Sequence, residues 1–312
     1  MKETIQINKL PTPTWNFLRV NSAAVEWDTS AQVTEEHYTE ADSPIKLNVC
    51  AEENYSSKKI TISAAENSSI VVVELVSSEN SSWTELDFEL SSGAKVKLIQ
   101  LLNPSSNAAI IHKTNAICAE GARFSLISAV LGDGDIYTDT NVQLNGDASS
   151  LEADYGYLGI NNQKIDINLT VDHYGKSTKS EIKANGALMD SAEKVFRGTI
   201  DFKNGSSDSV GAENETVLML GDDVVNKTVP LILCAEENVE GSHGATIGEL
   251  DDATLFYFES RGIDKEHASD IMARASVERI ARLPGINEFE EAVESALVRQ
   301  LNPQFEGDVD NE

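Results

Sequence analysis

Cysteine is scarce in this chain. Cys50, Cys118 and Cys234 are the only three in 312 residues, far apart and with no Cys-x-x-Cys pair. An odd, scattered set makes no disulfide framework and points to a reducing compartment. No uncharged apolar run is long enough to span a bilayer, and the first residues, MKETIQINKL, hold no apolar signal core. Asn-x-Ser/Thr triplets at Asn67, Asn80, Asn168 and Asn226 are therefore read as chance, and a cytoplasmic location is expected. Cations are scarce too: 24 Lys and Arg face 52 Asp and Glu, a net charge of −28. Such a surface repels phosphate backbones and anionic lipids, so neither nucleic acid nor a membrane is expected as partner. The charge serves solubility, and favours a basic protein or a metal cation. A Gly-x-Ser-x-Gly elbow and a Gly-x4-Gly-Lys-Ser/Thr phosphate loop are both missing. Nucleophilic catalysis is thus not expected, nor is a nucleotide bound by this chain.

Aromatic residues make up only 6% of the chain, few for a propeller or a sandwich, yet 40% of residues are hydrophobic, enough for a sizeable core. Three textures follow one another. Residues 1–44 form a lead-in, with Pro11 and Pro13 fixing an extended start. Trp15 and Leu18, with Phe17, are expected to anchor one short helical turn, followed by an acidic loop to Asp42. Residues 45–248 carry short apolar–polar alternations such as Ile45-Lys46-Leu47-Asn48-Val49, Leu86-Asp87-Phe88-Glu89-Leu90 and Ile165-Asp166-Ile167-Asn168-Leu169. Period-two patterning means strands with one buried face. Turn formers separate them at Glu66-Asn67-Ser68-Ser69, Gly132-Asp133-Gly134-Asp135 and Asn145-Gly146-Asp147. Stacked sandwiches, a propeller or a solenoid could hold so many short strands; irregular polar turns favour the solenoid, although no strict coil period is legible.

Residues 249–312 read as helical with an acidic tail from Glu306 to Glu312. Asp264 is a helix N-cap with Glu266 in the first turn. Ala268, Ile271, Met272, Ala275 and Leu283 form its predicted apolar stripe, and Pro284-Gly285 ends it. Asn287 starts a second helix, with Glu290 set for a capping box and a stripe of Phe289, Ala292, Val293, Ala296 and Leu297; Pro303 stops it. These stripes are expected to cover the open end of the strand body or to face a partner.

A set of ordered motifs carries a family resemblance. They are Leu10-Pro11-Thr12-Pro13-Thr14-Trp15 with Val20-Asn21, Asp172-His173, Thr178 to Ile182, Ala192 to Ile200, NETVLMLG at 214–221, Lys227 to Pro230, and VEGSHGATIGELDDATLFYFESRGI at 239–263. Together they resemble the SufB/SufD family of iron–sulfur cluster assembly proteins. The clear likeness covers the lead-in and residues 165–283; residues 45–160 agree in texture only. The SufB branch has a cysteine where this chain has Glu215, and a glutamate after the histidine where this chain has Gly244, so the likeness is to the SufD branch. Many members carry a longer N-terminal helical region. The resemblance implies an all-β core, a right-handed parallel β-helix, with a small C-terminal α-helical region. It also implies a non-catalytic scaffold that pairs with a SufB-like chain through strand edges near residues 215–245. A SufC-like ATPase would dock near residues 249–283, with Phe256, Tyr257, Arg261, Ile271 and Met272 as candidate contacts. Transient iron or an iron–sulfur cluster would be held at the subunit interface, with a flavin conceivable only for the whole complex.

On this reading His243 is the leading metal ligand, since neutral imidazole binds iron reversibly. Without the resemblance, a histidine hydrogen-bonded at a strand end is the plainer reading. Cys234 is a second candidate if its coil brings the thiol to His243, against the ordinary role of a small core residue. Glu215 is a third, against an ordinary exposed carboxylate. His112 and Cys118, six apart, fall on one face of a strand; His173 reads as a turn residue, and His37 and His267 as exposed. Gly132 to Asp135 reads as a turn because a calcium loop needs more spaced oxygens. Two rivals remain: a carbohydrate-active β-helix enzyme using paired carboxylates, and a homodimeric scaffold joined through β-helix edges without a separate SufB.

Overall fold

The alternating segments become two eight-stranded parallel sheets that wind as eight coils. The computed structural model describes residues 2–14, 16–51 and 53–301. Trp15, Pro303 and the tail from Glu306 lie outside the described residues. Strands β1 (Lys2–Ile7) and β2 (Ala23–Asp28) form an antiparallel hairpin. One sheet then holds β3 (Val33–Thr39), β5 (Ser56–Ala64), β7 (Ser82–Leu90), β9 (Ala109–Cys118), β11 (Asp135–Leu144), β13 (Lys164–His173), β15 (Glu193–Phe202) and β17 (Val225–Cys234). The other holds β4 (Ile45–Val49), β6 (Ser69–Ser78), β8 (Lys95–Pro104), β10 (Arg123–Val130), β12 (Ser150–Gly159), β14 (Lys179–Leu188), β16 (Ser209–Met219) and β18 (Val239–Glu249). Only the solenoid of the three candidate architectures places sequence neighbours in opposite sheets this way.

The coil period drifts, which is why the sequence hides it. Ser69 pairs with Lys95, Ser150 with Lys179 and Lys179 with Val210, so one coil takes 26, 29 or 31 residues. Length changes are absorbed at the turns, where Asn67 and Gly205 take left-handed backbone at φ 57° and 97°. Inward rows fill the interior with Ile60, Ile62, Phe88, Phe124, Leu126 and their neighbours, and the Phe88 and Phe124 rings lie 5.0 Å apart.

The lead-in is more ordered than expected. Between Val33 and Thr39, where an acidic loop is predicted, β3 already pairs in parallel with β5. Phe17 and Leu18 lie in a 3₁₀ turn, Asn16–Leu18, and both are exposed. The anchor is Trp27, buried on the outer face of the odd-numbered sheet, 5.6 Å from the Trp83 ring and 5.2 Å from Tyr55. The Asn21 amide closes the Pro11–Pro13 loop through Thr14, accepting from its N–H at 2.7 Å. Beneath it, buried Arg197 grips both Asp166 oxygens at 2.5 and 3.1 Å and donates from Nε to the Val20 carbonyl. Asn8 donates to the Asp166 carbonyl at 3.0 Å.

Three helices follow: α1 (Asp252–Glu259), α2 (Lys265–Arg282) and α3 (Asn287–Leu301). Asp264 caps α2 as expected, accepting from the His267 N–H at 2.9 Å. Glu290 accepts from Arg282 at 3.3 Å. The α3 stripe buries Phe289, Val293, Ala296 and Leu297 as predicted. The α2 stripe holds at Ala268 only: Ser269, Ala273, Val277, Ile280 and Ala281 are buried with it, while Ile271, Ala275 and Leu283 are exposed. The helices also leave the solenoid's end open. They lie on the flank of the even-numbered sheet, α2 over β10, β12 and β14 and α3 over β8. This explains β8, whose uncovered half alternates (Lys95-Val96-Lys97-Leu98) and whose covered half is buried on both faces (Leu98 to Leu102).

Close approach of α2 depends on Gly156. A Cβ there would sit 2.8 Å from Ile280 Cγ2. Gly156→Ala is expected to lower stability by about 1–3 kcal/mol through overpacking, read as a shift in urea midpoint. In an Ile280→Ala background the same change should cost less than half as much; equal cost in both backgrounds contradicts the contact.

Candidate functional site at the open end of the solenoid

Among the described residues each sheet ends in an uncovered strand. β17 and β18 have a partner on one side only, and no residue in either is buried. Val225, Ile232 and Ile247 are exposed there. His243 sits in the middle of β18, directly opposite Glu213 of β16, and Ala245 sits opposite Glu215. Ser209, Gly211, Glu213, Glu215 and Val217 form the buried, inward row of β16, so the row continues through His243 to the open end.

Two carboxylates and one lysine occupy the interior just beneath that end. Lys194 of β15 reaches across and donates to Glu215 Oε1 and, at 3.3 Å, to Thr228 Oγ1. Tyr157 donates to Glu215 Oε1 at 3.2 Å, and Thr228 donates to Oε2 at 2.5 Å. Lys194 also lies 5.5 Å from the Tyr157 ring centre and 5.6 Å from Phe196. Burial pulls the Lys194 amine below its ordinary value against the opposing pull of Glu215. Burial, then the Glu215 carboxylate, pushes the Tyr157 phenol well up.

Glu213 is the group left over. It is 2% exposed, and its Oε1 has no hydrogen-bond partner. His243 lies beside it, Nδ1 to Oε1 at 3.5 Å, with the His243 side chain 24% exposed. The carboxyl fits because residue 198 has no side chain: a Cβ on Gly198 would lie 1.9 Å from Glu213 Oε2. Burial first, then the Glu215 charge, pushes Glu213 up to about 7, with Lys194 opposing.

The three sequence candidates for a ligand are thus placed differently. His243 is accessible at the open end. Glu215 is not the exposed carboxylate expected; it is buried, with both oxygens already accepting from this chain. Cys234 is exposed at the last position of β17, opposite Phe202. β18 begins at Val239, so His243 lies four residues further on, about 13 Å along the strand. Among the described residues there is no group of three His, Cys, Asp or Glu side chains fit to hold a metal ion. Sequence reading missed Glu213, Lys194 and Tyr157, whose only signal was their place on inward rows.

The remaining candidates are structural or exposed. His112 and Cys118 share the inward face of β9, as the even spacing predicts, and both are buried. His112 bonds Glu74 and Gln100, each at 2.9 Å, and burial pushes the Cys118 thiol up to about 12. His173 is no turn residue: it ends β13 in the core, bonded to Thr178 at 2.7 Å and Ser180 at 2.9 Å, and burial lowers it to about 4. On α1, Phe256 is 71% and Tyr257 53% exposed, and the Arg261 guanidinium lies 3.7 Å from the Tyr257 ring centre. Ile271 is exposed on α2 and Met272 half-buried.

The raised Glu213 group has a measurable consequence. Between its ordinary value of 4.5 and about 7 the native chain holds a proton that the unfolded chain has released. Stability must therefore fall as pH rises through that window, by about 3 kcal/mol from this group. Glu215, Lys194 and His243 are the charged or titratable groups facing it. Glu213→Gln cannot ionise, so its stability should fall less steeply from pH 4.5 to 7.5 in urea titrations. Parallel curves for the two proteins contradict the assignment.

Comparison with known proteins gives the family. The family model described as "SUF system FeS cluster assembly, SufBD core domain" matches residues 47–276. The iron–sulfur cluster assembly protein SufD of Bacillus subtilis is 26% identical over 162 residues, 52% of this chain and 37% of that protein. SufD of Escherichia coli is 28% identical over 159 residues, 51% of this chain and 38% of that protein. A SufBD family protein of Mycobacterium leprae is 23% identical over 224 residues, 69% of this chain and 57% of that protein. The matched part thus spans well under two thirds of each relative. Among the described residues no helix is long and apolar enough to cross a membrane. A core-domain match over most of the solenoid, together with relatives named SufD, leads to one conclusion: this chain belongs to the SufB/SufD family of iron–sulfur cluster assembly proteins, on its SufD branch.

Proposed function

We propose that this chain is a non-catalytic, SufD-like component of iron–sulfur cluster assembly. It pairs with a SufB-like chain through the free edges of β17 and β18 and is worked by a SufC-like ATPase docked on α1 and the start of α2. Iron or the forming cluster is the cargo, and His243 is the ligand this chain supplies to it. The reading is carried by the uncovered last coil. Two parallel strand edges end the solenoid without a cap among the described residues, and an accessible imidazole lies in their inward row. Unpaired parallel edges are a ready template for another chain's strands. The same edges suit a second copy, so a homodimer is the alternative assembly. The exposed Phe256 and Tyr257, with Arg261 stacked on the latter, support an aromatic anchor for the ATPase. Three unpaired cysteines, Cys50, Cys118 and Cys234, are in keeping with the reducing cytoplasm as its compartment.

Co-expression with both partners tests the reading. A three-protein complex should form, and His243→Ala should leave it assembled while lowering iron and sulfide per complex by about tenfold. Unchanged loading removes the ligand role. Phe256→Asp should weaken ATPase retention by about thirtyfold, the loss of one hot-spot residue, and leave the SufB-like chain bound. Equal loss of both partners contradicts separate docking surfaces.

A further inference from the structure

Glu213 and His243 face each other without a hydrogen bond between them. Their 3.5 Å separation exceeds the usual 2.7–3.2 Å range of a nitrogen–oxygen hydrogen bond. Two donors, each about 2.1 Å from a tetrahedral first-row metal ion, stand about 3.4 Å apart. Glu213 Oε1 is buried and has no hydrogen-bond partner, a costly state unless something fills the gap. The buried Lys194 amine makes no hydrogen bond to that oxygen, because it is taken by Glu215 and Thr228. Gly198 clears the volume that the carboxyl occupies. Register fixes the pair, since Glu213 and His243 are direct partners on adjacent strands.

We infer that Glu213 Oε1 and His243 Nδ1 form a two-donor half-site for a divalent first-row metal ion, completed by donors from the chain that closes the open end. An imidazole nitrogen with a carboxylate oxygen suits ferrous iron and its neighbours and gives no preference to soft monovalent ions. Among the described residues no third His, Cys, Asp or Glu completes the shell. The remaining positions of the ion face the uncovered coil, where the partner enters. The inference rests on the proposed role of His243 and adds Glu213, which that role does not require.

The test is an anaerobic titration of the full chain with cobalt(II), followed by its visible d–d absorption, for the wild type, Glu213→Gln and His243→Ala. Both variants should weaken binding by about tenfold or more. Weakening in His243→Ala alone overturns the part given to Glu213 and leaves the histidine's role standing. No weakening in either variant, or no cobalt bound by the wild type, overturns the half-site. If Glu213→Gln does not fold, anomalous diffraction from cobalt-soaked wild-type crystals decides instead. A peak in bonding range of both atoms is expected; a peak on His243 alone or elsewhere overturns the inference.

Discussion

In-register parallel stacking governs everything else in this molecule. Each residue lies against the one a coil earlier, so a side chain's neighbours are set by columns running along the solenoid. One inward column of the even-numbered sheet reads Glu74, Gln100, Ser128, Tyr155, Ala184 and Glu215. A neighbouring column brings Ile182, Glu213 and His243 together. Stacking makes a continuous wall, but it cannot finish itself: the last coil always presents free edges and an unroofed interior. Here the flanking helices do not roof it, and among the described residues the end stays open.

The interior changes character as it nears that end. Its earlier and middle coils pack aliphatic and aromatic side chains around one polar cluster, in which Gln100 and His112 bond Glu74, and a lone ionised group there would cost several kcal/mol. The last coils instead hold Lys194, Glu213 and Glu215. Lys194 and Glu215 hold each other, with Tyr157 and Thr228 filling the remaining positions on the carboxylate. Such a pair adds little net stability. It occupies Glu215 fully and so leaves Glu213 as the carboxyl facing His243. A second buried pair, Arg197 with Asp166, does different work on the outer face, tying the N-terminal lead-in to the coils through the Val20 carbonyl.

Much of the architecture was legible because strand alternation is local. Ile45 to Val49 and Leu86 to Leu90 announce their inward faces without help from the rest of the chain. What depended on distant contacts was not legible. The α2 stripe was misread beyond Ala268 because Ile271, Met272 and Ala275 make as good a face with it as Ala273, Val277 and Ile280. The choice between them was made by Gly156, more than a hundred residues away, which lets the smaller face lie close to the sheet. Helices beside the sheet rather than over its end could not be read from amphipathicity, which says only that a face must be covered. His243 stood out by its motif. Glu213 did not, because one acidic residue among 52 looks like any other until its column is known.

The central claim is that the unroofed last coil is the seat of the partner chain. Amide hydrogen exchange of this chain, alone and with a SufB-like partner, tests it most directly. The account predicts new protection concentrated in β17 and β18, with β3 and β4 at the other end of the solenoid unchanged. Protection confined to β3 and β4, or to the exposed faces of α2 and α3, with β17 and β18 exchanging as fast as in the free chain, would contradict it.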